Sequence, residues 1–319
     1  MGKFGSILKA LIKTNYKDIR KKSQKKKIMS DVTNSVKNYQ ATSDDYERFA
    51  MYDLTDEQKS TIITKGINEE IIEKYNNNEY LDIFLDKPTF NKKFNRYLMR
   101  NWLLLTDDYQ EFKEFTDKTP NITAISTKDP KLPKQMYKVN NKNRKKIFEE
   151  LSSSKYDLLE EQLTQCKEFD SISKKDIVRI KAITLNNHIV AAYFYIKDEV
   201  TLFAPINLET GIVDYSLVDK DGNIHERIPS TNESIMWFSI PKWPRIKRFI
   251  HTLAGVEPNV KYVEWDISLN KDPYVIKANI RPDHTIYQLP EHRIKGQGLL
   301  PIFKKAMEDK NENSNSNRS

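Results

Sequence analysis

The sequence predicts an α+β protein in which a helical N-terminal part leads into a second half built mainly of β-strands. Between residues 44 and 118, apolar side chains recur at three- and four-residue spacing, which is typical of amphipathic helices. From Asp176 onward, runs of β-branched and aromatic residues alternate with short turn-type clusters, which indicates antiparallel strands. In residues 261–282, KYVEWDISLNKDPYVIKANIRP, two such runs flank the turn-type residues 270–273, so this stretch is predicted to be a β-hairpin.

Charge and cysteine content limit the class of protein. The 319-residue chain has a net charge of +8, but residues 1–30 hold ten basic residues and one acid, Asp18, so the remainder carries −1. A near-neutral body argues against a nucleic-acid-binding protein, in which basic and aromatic residues share a face of the fold. The single cysteine, Cys166, and the lack of an apolar run of about 20 residues predict a cytosolic protein.

Residues 1–30 are predicted to form a basic amphipathic segment. Its apolar stripe at helical spacing consists of Phe4, Ile7, Leu8, Leu11 and Ile12. A basic cluster at 21–27 follows the stripe, which suits docking on the anionic inner face of a membrane. The same pattern suits a helix that packs on its own domain and is followed by a charged linker, so the sequence leaves both interpretations open.

The rest of the chain is predicted to comprise a helical region at 31–118, a main body at 119–305 and an Asn/Ser-rich disordered tail at 306–319. Apolar spacing predicts one long helix at 87–105 and another at 156–169. Further predicted elements are strands at 178–185, 188–196, 200–205, 212–218 and 224–228, and a helix at 244–253.

Alternation places the side chains of the hairpin on two faces. The predicted core face carries Val263, Trp265, Ile267, Leu269, Tyr274, Ile276, Ala278 and Ile280, and the polar face carries Glu264, Asp266, Ser268, Val275, Lys277 and Asn279. With a symmetric four-residue turn, Asp266 lies opposite Lys277 and Glu264 lies opposite Asn279. Acids and an amide on one face suit a cation or a phosphate–metal complex; the alternative is a solvated outer face with one cross-strand ion pair.

Several kinds of site are excluded by the residues they need. No glycine lies between Gly66 and Gly211, so the chain has neither a P-loop nor a dinucleotide-binding glycine motif. The five histidines show no zinc-like spacing with each other or with Cys166. What remains is a set of lysines and arginines upstream and carboxylates downstream, which is the outline of a site for a polyphosphate and a metal.

Several segments, in chain order, resemble the sugar-transfer-associated ATP-grasp family. Residues 176–184, DIVRIKAIT, are similar to the family's arginine-bearing strand, and residues 264–282 are similar to its metal-binding hairpin. The Asp-Lys pair at 86–87 resembles the entry helix, and residues 158–163, LLEEQL, resemble the hinge that holds adenine. The similarity runs from about residue 46 to residue 289.

This resemblance implies an ATP-grasp-like fold, in which two α+β lobes clasp a nucleotide. It also implies an ATP-dependent carboxylate–amine ligase that works through an acyl-phosphate in cell-surface polysaccharide biosynthesis. The partners would be a nucleotide and a polysaccharide precursor, with ATP and magnesium as cofactors. By position, Arg179 would stabilise the transferring phosphate, Lys87 and Lys128 would contact phosphates, Glu160, Glu161 and Leu163 would hold adenine, and Asp266 and Asn279 would hold magnesium.

The departures from the family pattern open alternatives. Lys277 stands where the family has a glutamate, and a lysine cannot ligate magnesium and repels it. The glycine loop expected near Lys128 is absent, and Asp176 stands where an asparagine is usual. Three hypotheses follow: a ligase with a rearranged magnesium site, a catalytically degenerate ATP-grasp pseudoenzyme that serves as a nucleotide- or sugar-binding scaffold with Lys277 neutralising Asp266, or a peripheral membrane protein dominated by residues 1–30.

Overall fold

Two antiparallel sheets organise the structure, a computed structural model that describes residues 22–308. Within this range the smaller sheet has four strands, β1 Trp102–Leu104, β2 Asn121–Ile125, β3 Gln135–Lys138 and β4 Leu158–Glu161, in the spatial order β1-β4-β2-β3. The larger has seven, β5 Arg179–Leu185, β6 His188–Lys197, β7 Thr201–Pro205, β9 Leu217–Asp219, β10 Ile224–His225, β12 Tyr262–Leu269 and β13 Pro273–Asn279. Their order is β10-β9-β7-β6-β5-β12-β13, and a separate ribbon pairs β8 Ile212–Val213 with β11 Phe238–Ser239.

The helices precede, link and follow these sheets. In the described part of the chain they are α1 Lys22–Tyr39, α2 Ser43–Arg48, α3 Asp56–Lys59, α4 Lys65–Tyr75, α5 Asp82–Leu85, α6 Lys87–Lys93, α7 Asn95–Leu98, α8 Tyr109–Lys118, α9 Arg144–Ser152, α10 Lys167–Ile172, α11 Trp243–Ala254 and α12 Leu300–Glu308. The entry helix α6 begins where Asp86 caps its first turn by accepting from the Thr89 backbone N–H, with proline in that turn.

The hairpin forms as predicted, and its pairing places Asp266 opposite Lys277 and Glu264 opposite Asn279. The turn is one residue shorter than expected, because Leu269 pairs with Pro273. A β-bulge further from the turn compensates for this: Asp266 pairs with Lys277 and Ile267 with Val275, so Ile276 of β13 is the extra, unpaired residue. The two one-residue changes cancel, so the pairing of the polar residues is confirmed.

Because of the bulge, the predicted faces are wrong for the side chains of β13 between the bulge and the turn. Val275, predicted on the polar face, is fully buried in the main core, and Ile276, predicted in the core, is only partly buried. Tyr274 also leaves the predicted core face, since its hydroxyl donates to the Thr164 carbonyl. A one-residue insertion moves each following side chain to the opposite face.

Each face of the large sheet packs against helices. On one face Trp265 and Ile267 of β12 join Phe94 and the buried side of α11 in the largest core cluster. On the other face Tyr262 of β12 packs with Phe303 of α12 and with α4. Because side chains alternate along β12, Glu264 and Asp266 continue the second face beyond Tyr262. The region between this face and the small sheet, which Lys87 and Arg100 bridge by their contacts with Glu160 and with the Ile276 carbonyl, is called the cleft below.

Two predicted helices are wrong. Residues 158–161, predicted within a helix, form the strand β4 between β1 and β2, because backbone pairing on both sides outweighs the helical preference of Leu and Glu. The helix predicted at 87–105 breaks after α6 and again at Met99, whose φ of 49° is left-handed, and it gives way to β1. The small sheet therefore begins inside the region predicted to be helical.

The ends of the chain lie partly outside the described residues. The structure does not describe residues 1–21, which include the predicted apolar stripe, or residues 309–319 of the predicted tail. The basic part of the first segment enters α1, and the tail prediction begins too early because α12 runs to Glu308. None of the helices within residues 22–308 has the length and apolar content that a bilayer crossing requires.

Acid pH is expected to destabilise the fold through His292. This ring is 8% exposed, its Nε2 donates to the Ser216 carbonyl, and burial lowers its pKa from 6.5 to about 4. The unfolded chain therefore binds a proton below pH 6.5 that the folded chain binds only near pH 4. Stability supplied by the neutral ring is complete above pH 6.5 and falls by about 3 kcal/mol as pH drops to 4.

The measurement is urea unfolding of the wild type and His292→Gln at intervals from pH 7 to pH 4. The variant is expected to lose less stability over this interval than the wild type. Parallel stability curves for the two proteins would contradict the assignment.

Candidate functional site

An acidic pair on β12 is held by a lysine from the neighbouring strand, and these three residues are called the floor of the cleft below. Glu264 and Asp266 are 3% and 2% exposed. Lys181 of β5 lies opposite Asp266 in the sheet register, and its Nζ is 2.6 Å from Glu264 Oε1 and 3.0 Å from Asp266 Oδ1. Although burial lowers it, the two carboxylates raise the pKa of Lys181 above its usual value, so the ammonium stays charged.

Two further cations approach Asp266 from opposite sides. Arg179, two residues before Lys181 on the same face of β5, has Nη1 3.7 Å from Asp266 Oδ2 and Nη2 3.1 Å from Asp176 Oδ2. Lys277 of β13 has Nζ 3.7 Å from the same Asp266 Oδ2, and its side chain is 56% exposed. The acid expected to bind a metal is therefore surrounded by three basic groups.

A second buried cluster joins the small sheet to the hairpin. Oε1 of Glu160, on β4, lies 3.1 Å from Lys87 Nζ and 3.0 Å from Arg100 Nη2, and it accepts from Asn91 Nδ2 at 2.8 Å. Arg100 and Lys87 also donate to the Ile276 carbonyl, at 3.1 and 3.2 Å. That carbonyl belongs to the outer strand β13, so the Glu160 cluster connects the two walls of the cleft.

Burial and charge act against each other in this cluster. Although burial raises it, the charges of Lys87 and Arg100 bring the pKa of Glu160 down to about 2. Burial lowers the pKa of Lys87 to about 8, against the attraction of Glu160. Glu160 is therefore ionised at neutral pH, and its carboxylate is occupied by basic partners.

The loop between β2 and β3 contains the predicted phosphate ligand Lys128 and a second lysine, Lys134, and these two residues differ in their surroundings. Lys128 is exposed and has no hydrogen-bond or ion-pair partner among the described residues. Lys134, in the same loop, is also exposed but is close enough to feel the charges of both clusters: partial loss of solvent lowers its pKa, Glu160 opposes that shift, and Arg179 adds to it. The predicted phosphate lysines thus separate, with Lys87 in the cleft wall and Lys128 on the surface.

The segment predicted to hold adenine follows β4 directly. Glu161 Oε2 accepts from the backbone and side-chain N–H groups of Asn101, both at 3.0 Å, and Leu163 is partly buried. Two bonds fasten the next residue to the hairpin, because Thr164 accepts at its carbonyl from Tyr274 and at its hydroxyl from Asn270. These contacts place the segment at the turn end of the hairpin, away from Asn279.

A family model, described as sugar-transfer associated ATP-grasp, matches residues 147–306. This range begins in α9 and contains Arg179, Lys181 and the whole hairpin. The chain belongs to this ATP-grasp family. Its fold class is therefore the α+β, ATP-grasp-like class that the sequence predicts. No curated protein matches the sequence.

Solved structures similar to this ATP-grasp chain include three ligases or macrocyclases. ATP-grasp ligase PsnB, complexed with a phosphomimetic variant of its minimal precursor, Mg and ADP, is 12% identical with a TM-score of 0.43. The match covers 73% of this chain and 60% of PsnB, less than two thirds of that chain. D-alanine–D-alanine ligase from Bacillus anthracis is 11% identical, with 71% and 66% covered and a TM-score of 0.43. Macrocyclase MdnC from Microcystis aeruginosa, bound with precursor peptide MdnA, is 10% identical, with 75% and 67% covered and a TM-score of 0.43.

The predicted magnesium ligands do not fit a magnesium ion held by this protein. Within residues 22–308, no group of three or more His, Cys, Asp or Glu side chains could hold a metal. Asn279 is exposed, and its Oδ1 accepts from the Arg281 backbone N–H at 3.0 Å. At an effective dielectric constant of about 20, a unit charge 4 Å from a divalent ion contributes roughly 8 kcal/mol of repulsion. Asp266 therefore retains its position in the fold but lacks the electrostatic surroundings of a metal ligand.

The sequence reasoning assigned no role to three residues of this site. Lys181 carries a signal in the sequence, because it lies two residues after Arg179 on a strand and so shares its face. Arg100 and Lys134 carry no such signal in the sequence. Arg100 lies just before β1 and Lys134 lies in the loop before β3, and only folding brings these two places together.

Proposed function

We propose that this protein binds ATP in the cleft between its two sheets. The observation that carries the proposal is the convergence of basic groups from separate elements around one floor: Lys87, Lys134, Arg179 and Lys277. A nucleotide triphosphate is the anion that an ATP-grasp protein clasps at this place, and several fixed cations suit its phosphates.

Within this proposal several of the predicted residues have specific roles. Arg179, held by Asp176, is a positioned guanidinium for the terminal phosphates. The backbone near Glu161 and Leu163 is proposed to receive the adenine ring. Glu160 orients Lys87 and Arg100 instead of contacting adenine, because its bonded oxygen is filled by them.

We further propose that the protein acts in cell-surface polysaccharide biosynthesis as a nucleotide-binding protein without turnover. The family description associates it with sugar transfer, so a polysaccharide precursor is the proposed second ligand. The cations around Asp266 favour a non-catalytic role, since magnesium has no adequate ligand set in the described residues.

A second candidate function is the ATP-dependent carboxylate–amine ligase itself. Glu264 Oε2 and Asp266 Oδ2 are buried and have no hydrogen-bond partner, which is the observation that favours a cation arriving with the nucleotide. In this candidate the γ-phosphoryl group passes to a carboxylate, and an amine then displaces phosphate from the acyl-phosphate. Arg179 would stabilise the charge that develops on the phosphoryl oxygens.

Calorimetric titration of the full chain with ATP tests nucleotide binding. We expect saturable binding that Arg179→Gln weakens about tenfold, because a charge-assisted contact is lost. The matched control is Lys220→Gln, which changes an exposed lysine in the turn after β9, three strands away from β5, and is expected to bind like the wild type. Absence of ATP binding would remove the proposal.

The two candidates separate in an ADP-release assay with magnesium and mixed carboxylate and amine acceptors. The non-catalytic protein releases no ADP above a blank without protein. Magnesium-dependent ADP release that disappears in Asp266→Asn would establish the ligase instead.

A further inference from the structure

We infer that the buried ammonium of Lys181 is the permanent counter-ion of the acidic pair Glu264 and Asp266, and that the cleft accordingly takes its polyphosphate ligand free of a divalent ion. This inference rests on the nucleotide-binding function proposed above and specifies which form of the nucleotide the cleft selects.

Lys181 is built into the floor of the cleft. Its side chain is 13% exposed, and its Nζ bridges both carboxylates at 2.6 and 3.0 Å. The ring of Tyr195 lies beside it, with the Nζ 5.1 Å from the ring centroid. Moving this ammonium away would leave Glu264 and Asp266 buried without a fixed counter-charge.

The outer oxygen of Asp266 faces two more cations. Arg179 and Lys277 each place a nitrogen 3.7 Å from Asp266 Oδ2, just beyond hydrogen-bond distance. A divalent ion at that oxygen would stand among three positive groups, including the fixed ammonium of Lys181. Asp266 Oδ2 has no hydrogen-bond partner, and a small movement of Arg179 or Lys277 would supply one more easily than a metal would.

The same arrangement favours a more highly charged ligand. A free triphosphate carries two more negative charges than its complex with a divalent ion. Arg179 and Lys277 stand beside Asp266 and supply the compensation that a metal would otherwise supply. The ligand class is a metal-free nucleoside triphosphate.

Two variants isolate the counter-ion. Lys277→Glu changes a side chain that is 56% exposed, so it is expected to fold, and it adds a carboxylate opposite Asp266. Lys181→Met removes the fixed ammonium and leaves two buried acids available to a metal. Lys220→Met is the control, because that lysine is exposed in the turn after β9, three strands away from β5.

The experiment measures ATP binding by calorimetry in EDTA and in excess magnesium, and Mn²⁺ binding without nucleotide by electron paramagnetic resonance. For the wild type and Lys220→Met we expect ATP to bind at least as tightly in EDTA as in magnesium, and no Mn²⁺ to bind. For Lys277→Glu we expect magnesium to strengthen ATP binding roughly tenfold. For Lys181→Met we expect Mn²⁺ to bind and to raise the unfolding temperature.

Each alternative result has a definite meaning. ATP binding by the wild type only in magnesium overturns the inference and leaves the nucleotide-binding function standing. Mn²⁺ binding by the wild type that Asp266→Asn abolishes overturns it whether or not ATP binds. Failure of ATP to bind in either condition removes the proposed function, and the inference about nucleotide form falls with it.

Discussion

Replacing Glu160 by glutamine is expected to lower the free energy of unfolding by about 3–5 kcal/mol. Its carboxylate is the only acidic partner of Lys87 and Arg100 among the described residues, and the Arg100 side chain is 1% exposed. Glutamine keeps the size and one acceptor oxygen but removes the charge. The variant thus leaves the buried Arg100 and the partly buried Lys87 without an acidic partner, and this deficit outweighs the hydrogen bonds that remain.

Urea unfolding at pH 7 measures this loss. Glu149→Gln is the control, because Glu149 is exposed on α9 and its side chain has no partner in the described structure; the change should stay within about 0.5 kcal/mol. The stabilising contribution of Glu160 is present above pH 4.5 and is lost as pH falls towards its pKa of about 2. The gap between wild type and variant should therefore narrow in acid, and a gap that is small at pH 7 would contradict the assignment.

This cluster marks the limit of what the sequence could predict about the fold. Alternation and turn chemistry predicted the hairpin and the pairing of Asp266 with Lys277, because both are local properties. The bulge was not predictable, since it is accompanied by contacts to the Ile276 carbonyl from Lys87 and Arg100, which are distant in sequence. Residues 158–161 were misread for the same reason: their strand exists only through pairing with β1 and β2.

The candidate site divides in the same way. The family resemblance identified Arg179, Asp266 and Lys277. In the structure a nitrogen of Arg179 and the nitrogen of Lys277 each lie 3.7 Å from Asp266 Oδ2. It did not identify Lys181, because the decisive fact is that β5 lies next to β12, and 76 or more residues separate these strands along the chain. Nothing in the residue pattern distinguishes Lys134 from Lys128 either, because the path of the loop after β2 decides which of them approaches the cleft.

Removing the floor lysine should have the second large effect. Lys181→Met is expected to lower the free energy of unfolding by about 3–5 kcal/mol, because Glu264 and Asp266 remain buried with one fewer positive charge. Methionine fills much of the space of the lysine stem, so the loss reports the charge more than the packing. Urea unfolding at pH 7 without divalent ions is the measurement, with Lys220→Met, an exposed lysine in the turn after β9, as the control.

A second substitution distinguishes a charge effect from damage to the sheet. If Lys181 acts as counter-ion, Glu264→Gln should be much less harmful in the Lys181→Met background than in the wild type, because it then removes an uncompensated buried charge. The four proteins form a double-mutant cycle with an expected coupling of about 2 kcal/mol. Strictly additive losses would show that Lys181 only fills space between the strands, and Asp266 would then be open to a metal after all. The stability of the floor and the form of nucleotide that the cleft selects therefore depend on the same buried ammonium.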